Sequence, residues 1–309
     1  MPTDTPGIHH VTAVGTDPQR THDFYADTLG LRLVKRSVNQ DDVSVYHLFY
    51  GDQGGSPGTS MTLFSYTDAR SGQPGAGQVT SVAFLVPEGS LSFWADRLAD
   101  SGVDVEGPIE RFGDDVLQFT DPDGLPLELV ASGDAPAGEP PAGSVPDEHA
   151  IRGFFGVTLS LAGADPTANL LEEMGYRERE GGHSRRRFVS DGELGYVVDL
   201  REDPQGTRAV PGAGTVHHVA YRVNADEQDD WRQLLIDRGL RPTEVIDRTW
   251  FESVYVREHG GVLFEFATDG PGYTVDEGAD ALGERLVLPE WLEDRREEIE
   301  AGLPPLETD

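Results

Sequence analysis

The feature that most restricts how this chain can fold is an internal repeat. Residues 79–131 include VTSVAFLVPEGSLSFWADRLADSGVDV and FGDDVLQFTDPDGLPLELVA, and residues 216–268 include VHHVAYRVNADEQDDWRQLLIDRGLRP and TWFESVYVREHGGVLFEFAT. Setting Ser81 on His218 sets Glu128 on Glu265 with no gap, because each pair is separated by 47 positions. Both copies read as an alternating strand, a helix closed by glycine (Gly102, Gly239), then strands joined by tight glycine turns (Pro122-Asp123-Gly124, Gly260-Gly261). A third copy opens the chain with HHVTAV, the helix PQRTHDFYADTLG capped by Gly30, and RLVKRSV, SVYHLFYGD and TSMTLFSY. A fourth, weaker copy starts at residue 153 with GFFGVTLSLAG, PTANLLEEMG, YRERE, SRRRFVS and YVVDLRE. The expected fold class is therefore α+β, with four βαβββ modules whose pairs form two cupped, incompletely closed mixed sheets with the helices outside.

Between the second and third modules, residues 132–149 (SGDAPAGEPPAGSVPDEH) lose all apolar periodicity and read as a linker. The expected halves are 1–131 and 150–309, each holding two modules. The tail from Pro289, PEWLEDRREEIEAGLPP, has early acids, Leu292 and Ile299 on one face and a stop at Gly302-Leu303-Pro304. It reads as a C-terminal surface helix without chemistry.

Composition narrows the function. No apolar run approaches the ~18–20 residues that span a bilayer, and MPTDTPGIHH lacks the pattern of a signal peptide, so the expectation is a cytoplasmic protein. With 56 Asp+Glu against 24 Lys+Arg the formal net charge is -32, which disfavours nucleic acid and anionic membranes as partners. Lys35 is the single lysine. This arginine-rich, acid-coated composition resembles that of proteins adapted to a salt-saturated cytoplasm, although acidic drift in a high-GC genome gives a similar pattern. The absence of cysteine excludes disulfides, thiolate metal sites and a cysteine nucleophile, so any metal must be held by His and carboxylates.

Strand alternation then selects candidates. Two His-His pairs, His9-His10 and His217-His218, each open a module's first strand. His10, Thr12 and Val14 share one face, and His9, Val11 and Ala13 the other. In the later copy His218, Ala220 and Arg222 oppose His217, Val219, Tyr221 and Val223. The more apolar face should pack under the helices, which turns His10 and His218 into the cup. In VLFEFA the residues Val262, Phe264 and Phe266 form an apolar face and Glu265 points the other way. A carboxylate buried in so apolar a strand needs a compensating cation or strong donors. Two imidazoles and one carboxylate on three strands make a facial set suited to Fe(II) or a similar ion, with positions left open. Glu128 has Ser81 as its repeat partner and Phe155-Gly156-Val157-Thr158 in the facing module, so no second site is expected and Glu128 should keep a structural hydrogen bond. His47 and His259 could lie near the site but have no spacing argument, His22 and His149 read as helix-surface and linker residues, and His183 lies in a Gly/Arg turn.

The segments GIHHVTAV, KRSVNQDDVSVYHLFYGD, GTVHHVAYRV, FESVYVREHGGVLFEFA and LPEWLEDRREEIEAGLP resemble the vicinal oxygen chelate superfamily of glyoxalases, bleomycin resistance proteins and extradiol dioxygenases. Within it they are most similar to ring-cleaving dioxygenases acting on hydroquinones, and the resemblance covers nearly the whole chain. It implies that His10, His218 and Glu265 are the metal ligands and that Thr12, His217, Tyr255 and Arg248 surround them, with His9 beside the first ligand. Alternation counts against His9 and His217 facing the metal. The resemblance also implies that modules one and four pair around the metal and that the middle two form an empty cup.

The expected function is a non-haem, metal-dependent ring-cleaving dioxygenase using a small aromatic substrate, a hydroquinone or catechol, and dioxygen. Fe(II) is the expected metal, with Mn(II) or another divalent ion as alternatives. Tyr255 would hydrogen-bond a phenolate or pass a proton, and Arg248 would stabilise negative charge. One rival keeps the fold as a glyoxalase-like isomerase or transferase, which usually takes a fourth protein ligand that TSMTLFSY does not offer. The other is a non-catalytic small-molecule-binding protein. Homo-oligomerisation is compatible with the sequence, which does not decide it.

Overall fold

The computed structural model describes every residue except 1, 134, 137, 142, 183 and 309, so His183 lies outside the described residues. The first module comprises β1 (Ile8–Gly15), α1 (Pro18–His22), β2 (Arg32–Asn39), β3 (Asp42–Gly51) and β4 (Ser60–Ser65). The second comprises β5 (Gln78–Pro87), α2 (Leu91–Asp100), β6 (Glu106–Arg111), β7 (Asp114–Thr120) and β8 (Pro126–Ser132). The third has β9 (Gly153–Leu161), α3 (Asp165–Glu173), β10 (Arg177–Gly181), β11 (Arg185–Val189) and β12 (Val197–Glu202). The fourth has β13 (Thr215–Val223), α4 (Gln228–Asp237), β14 (Ile246–Asp247), β15 (Phe251–Arg257) and β16 (Leu263–Pro271). A 3-10 turn, Glu290–Arg295, leads into α5 (Arg296–Gly302), and Leu292 and Ile299 of this tail are buried. Among the described residues no helix is long and apolar enough to cross a membrane.

The strands form two curled mixed sheets of eight, ordered β14-β15-β16-β13-β1-β4-β3-β2 and β10-β11-β12-β9-β5-β8-β7-β6. The first unites modules one and four through an antiparallel β1/β13 seam, the second modules two and three through β5/β9. The seams are equivalent in register. His10 faces Ala220 as Gly156 faces Ala83, and Thr12 faces His218 as Thr158 faces Ser81. Val11, Ala13, Val219 and Tyr221, the apolar face of the seam, are buried in the main core with Trp94 of α2 and Trp231 of α4. These two tryptophans stand at equivalent repeat positions and are almost fully inaccessible. Each anchors its helix with an aromatic burial whose loss to alanine costs about 3–5 kcal/mol.

The first helix departs from the expected single α-helix. After His22 it widens into a π-helical stretch, Asp23–Thr28, which carries the neighbours Phe24 and Tyr25 into the core together. Gly30 then follows in the left-handed conformation with φ of 71°.

The second cup carries no imidazoles at the equivalents of the ligand positions. The residue corresponding to His10 is Gly156, where even a Cβ would lie 2.0 Å from the Val197 carbonyl oxygen, so no side chain fits. The residue corresponding to Glu265 is Glu128, which pairs with Gln118 of β7 as Glu265 pairs with Tyr255. Arg111 clamps Glu128 through two hydrogen bonds of 2.6 and 2.8 Å, and Gln118 Nε2 donates a third of 2.8 Å. Asp199, matching Thr62 of the first cup, is held by Arg185 and Arg187. Ion pairs therefore fill this cup. Removing Arg111 strands a nearly inaccessible carboxylate, and breaking such a pair costs about 3–5 kcal/mol. Arg111→Ala should lower the free energy of unfolding by that amount, measured by urea denaturation followed by circular dichroism, while leaving divalent-metal content unchanged.

Candidate metal centre

His10 leaves β1, His218 leaves β13 and Glu265 leaves β16, three strands adjacent in the first sheet. Parallel pairing of β13 with β16 sets Ala220 opposite Glu265, and the antiparallel seam sets the same Ala220 opposite His10. A small residue at the crossing leaves room for the three longer side chains to meet. His10 Nε2 lies 3.3 Å from His218 Nε2, and Glu265 Oε2 lies 3.2 Å from the first and 2.9 Å from the second. All three residues are buried, Glu265 completely.

These atoms fit a divalent ion. Cis ligands of an octahedral ion with bonds of ~2.1 Å stand ~3 Å apart, which is the spacing of all three edges here. Glu265 Oε2 is buried without a hydrogen-bond donor of its own, so its lone pairs face the two imidazole nitrogens. The other oxygen, Oε1, accepts from Ser253, which fixes the carboxylate plane. Burial alone would raise the Glu265 pKa, but the proximity of His10 and His218 outweighs it and holds the group well below the usual carboxylate range. His218 is lowered, first by burial. Among the described residues these three make up the sole cluster of His, Asp and Glu with metal-binding geometry.

The two remaining histidines of the pairs do not follow strict alternation. The β1/β13 register slips between Ile8 and His10 and again between Thr12 and Ala13. His9 is the extra residue at the first slip and His217 at the second, opposite Thr12-Ala13. A β-bulge turns its residue out of the ordinary two-residue period. His9 Nδ1 consequently lies 2.9 Å from His10 Nδ1, and His217 Nδ1 lies 2.8 Å from His218 Nδ1. With Nε2 holding an ion, the neutral imidazole of His10 or His218 would carry its proton on Nδ1 and donate it to the neighbouring histidine, which would fix tautomer and ring plane. Burial, then the adjacent ligand histidine, lowers the pKa of both His9 and His217 to about 3, so each is a neutral acceptor at pH 7. The bulges, which strict alternation does not anticipate, set His9 and His217 against the Nδ1 atoms of His10 and His218, on the side of each ring away from the Nε2 cluster.

A cavity of about 410 Å³ opens over the ligand atoms. Its walls include Phe49, Phe64, Trp250 and Phe251, with Tyr255 and Arg248 on one side and Asn39, Gln40 and Asp41 of the β2–β3 turn at the rim. Arg248 Nε donates to the Tyr255 hydroxyl oxygen at 3.3 Å, its guanidinium covers the Tyr255 ring, and another nitrogen reaches Asp41. Burial, followed by the Glu265 charge, raises the Tyr255 pKa, so the phenol stays protonated. Thr249, after Arg248, has φ of 78°, and Phe112, after Arg111 in the other cup, has φ of 52°. The same strained turn thus presents an arginine in both cups. In one it grips the carboxylate, and in the other it grips a tyrosine and leaves the carboxylate to the imidazoles.

Thr12 does not touch the ligand atoms. Its hydroxyl pairs with Thr62 at 2.8 Å, and Thr62 in turn contacts His47 Nε2 at 2.9 Å. His47 lines the cavity between the rings of Phe49 and Phe64 and is held well below its usual pKa, first by burial and then by His10 and His218. The sequence offered His47 as a residue that could lie near the site, without a spacing argument, and gave no sign of Ser253. Both could have been found by pairing. His47 stands opposite Phe64 on β4, and Ser253 shares the face of Tyr255 two residues on. His259 lies away from this cup, on a second cavity. Thr62, on the strand from which a fourth ligand would come, offers only a hydroxyl.

The chain belongs to the Glyoxalase/Bleomycin resistance protein/Dioxygenase superfamily, whose family model matches residues 7–129. Within that class its full-length relatives are named as ring-cleaving dioxygenases. It is 46% identical to MhqO of Bacillus subtilis (strain 168), a protein bearing that name, over 99% of this chain and 98% of the relative. It is 36% identical to the chlorohydroquinone/hydroquinone 1,2-dioxygenase of Sphingobium indicum, over 97% and 96% of the two chains. A crystal structure of a Bacillus subtilis protein named as a dioxygenase superposes with a TM-score of 0.96 at 44% identity, covering 99% of both chains.

Alanine at His10, His218 or Glu265 should abolish stoichiometric divalent-metal binding, measured by mass spectrometry of metals in the purified protein. His9→Phe and His217→Phe remove only the acceptor behind each ligand and should weaken metal affinity about 10–100-fold in a chelator competition.

Proposed function

We propose that the protein opens the ring of a hydroquinone with dioxygen, using a divalent metal, Fe(II) foremost, held by His10, His218 and Glu265. The observation that carries this reading is the convergence of three buried ligand atoms beneath an aromatic-walled cup with a protonated tyrosine at its side. The name of the Sphingobium relative supports the substrate class. When bound, a divalent ion in such a facial set supplies Lewis acidity toward a phenolic hydroxyl and open positions for substrate and dioxygen.

The chain's own residues perform the rest. Phe49, Phe64, Trp250 and Phe251 sandwich a flat apolar ring and exclude water, which strengthens every electrostatic contact in the cup. The Tyr255 oxygen accepts from Arg248, which leaves its own O–H to be donated to an oxygen of the substrate. Arg248, anchored by Asp41, places a fixed positive charge where the ring gains negative charge as its hydroxyls lose protons. His217 and His47 are neutral at the cavity wall; with its Nδ1 accepting from His218, His217 keeps its proton on Nε2 as a donor. A glyoxalase-type reaction finds no support in the donor set, because Thr62 supplies no fourth protein ligand.

After anaerobic reconstitution with Fe(II), the protein should consume one dioxygen per hydroquinone in an oxygen electrode. Tyr255→Phe should lower kcat about 10²-fold with a smaller change in KM. No uptake with hydroquinone, methylhydroquinone, chlorohydroquinone or catechol, or turnover of a hemithioacetal instead, would overturn the reading.

A further inference from the structure

A second cavity of about 920 Å³ adjoins the cup, and the two share His217, His218 and Leu263 in their walls. It is built where two inter-module connections pair with each other. Residues 71–76 and 208–213 form isolated bridges, with Ala76 and Thr207, and Gln73 and Val210, joined by backbone hydrogen bonds. The turn between β15 and β16 closes the other side. This pairing holds Arg208 over the cavity, and the β15 end adds Arg257 and His259.

The charge of this cavity runs against the rest of the molecule. Acids occupy 56 of the 309 positions, yet none of the 21 residues lining the cavity is Asp or Glu. The cup itself includes Asp41. Neither Arg208 nor Arg257 has a carboxylate within ion-pair distance among the described residues. Arg257 donates to the Gly261 carbonyl, and both side chains are exposed. Most other arginines on this acidic surface are neutralised by Asp or Glu, Arg186, Arg222 and Arg296 among them. At an ionic strength where charges are screened beyond ~8 Å, an anion inside the cavity responds to these local groups more than to the distant acidic coat.

Ring cleavage makes an anion from a neutral substrate. When the bond between a hydroxylated carbon and its C–H neighbour breaks and both atoms of dioxygen enter, the first carbon becomes a carboxylic acid and the second an aldehyde. All four electrons taken up by dioxygen come from the ring, so no other reductant is needed. At neutral pH the acid loses its proton to water. We propose that the 920 Å³ cavity is a binding site for small organic carboxylates and, on the ring-cleavage reading above, receives the ring-opened product from the cup past His217. Arg208 and Arg257 are the groups that recognise the carboxylate.

The test uses the whole chain, metal-free, with muconate as probe and its uncharged dimethyl ester as control, titrated by calorimetry. Muconate should bind, the ester should bind far more weakly, and Arg208→Gln/Arg257→Gln should raise the muconate Kd about tenfold or more. Both residues are exposed and lack carboxylate partners, so the variant should keep the wild-type circular dichroism spectrum and melting temperature. Equal affinity for acid and ester, an unchanged Kd in the double variant, or loss of binding in Arg248→Gln instead would overturn the site. If muconate binds through Arg208 and Arg257 while the Fe(II) protein consumes no oxygen with any hydroquinone, the carboxylate site stands and the ring-cleavage reading fails.

Discussion

Everything in the first sheet is arranged around the burial of one charge. Glu265 lies wholly inside a strand whose neighbours are Phe264 and Phe266, in a setting that penalises an uncompensated carboxylate by several kcal/mol. Two imidazoles from strands 208 positions apart in the chain meet at this carboxylate, where the three together would hold a cation that offsets the cost, and they can do so only because modules one and four share a sheet. The second cup solves the same problem at Glu128 with Arg111 and Gln118. The comparison separates the two uses of a buried carboxylate. A guanidinium satisfies it and closes the site, whereas imidazoles that turn free Nε2 atoms toward it leave Oε2 without a donor and a place for an ion.

The repeat also shows how little backbone change divides structure from chemistry. Arg111 and Arg248 sit at the same point of the same hairpin, each followed by a non-glycine residue of positive φ. Arg248 grips Tyr255 where Arg111 grips the glutamate, because the position of Gln118 is taken by a tyrosine whose hydroxyl reaches the guanidinium. Gly156 removes one ligand position in the second cup by backbone contact alone. The ion pairs of Asp199 with Arg185 and Arg187 then occupy the space that Thr62, His47 and Phe49 leave open in the first.

The acidic composition bears on this in an indirect way. The 56 acids, most of them outside the core, say little about the reaction, since among the described residues Glu265 alone offers a carboxylate oxygen to the candidate metal cluster. Their absence is more informative than their presence. The cavity beside the cup is lined without a single one, and among the described residues its two arginines have no carboxylate within ion-pair distance.

The modules, the capped helices and the burial of one face of each first strand were legible in the sequence, because period-two alternation and glycine signals are local. The three ligand candidates were legible for the same reason: a polar residue on the wrong face of an apolar strand stands out without knowledge of its neighbours. The roles of His9 and His217 were not, since the bulges that bring them to the ligands exist only in the pairing of β1 with β13. His47 could be named from the sequence but not placed, and Ser253 escaped, because nothing within their own strands marks them and their partners lie on neighbouring strands. The sequence by itself determined which residue types could hold a metal and which face each strand turns inward. Tertiary structure alone decided that imidazoles 208 positions apart meet over one carboxylate and that a cavity free of acids lies beside them, because both depend on strand register and loop pairing between distant segments.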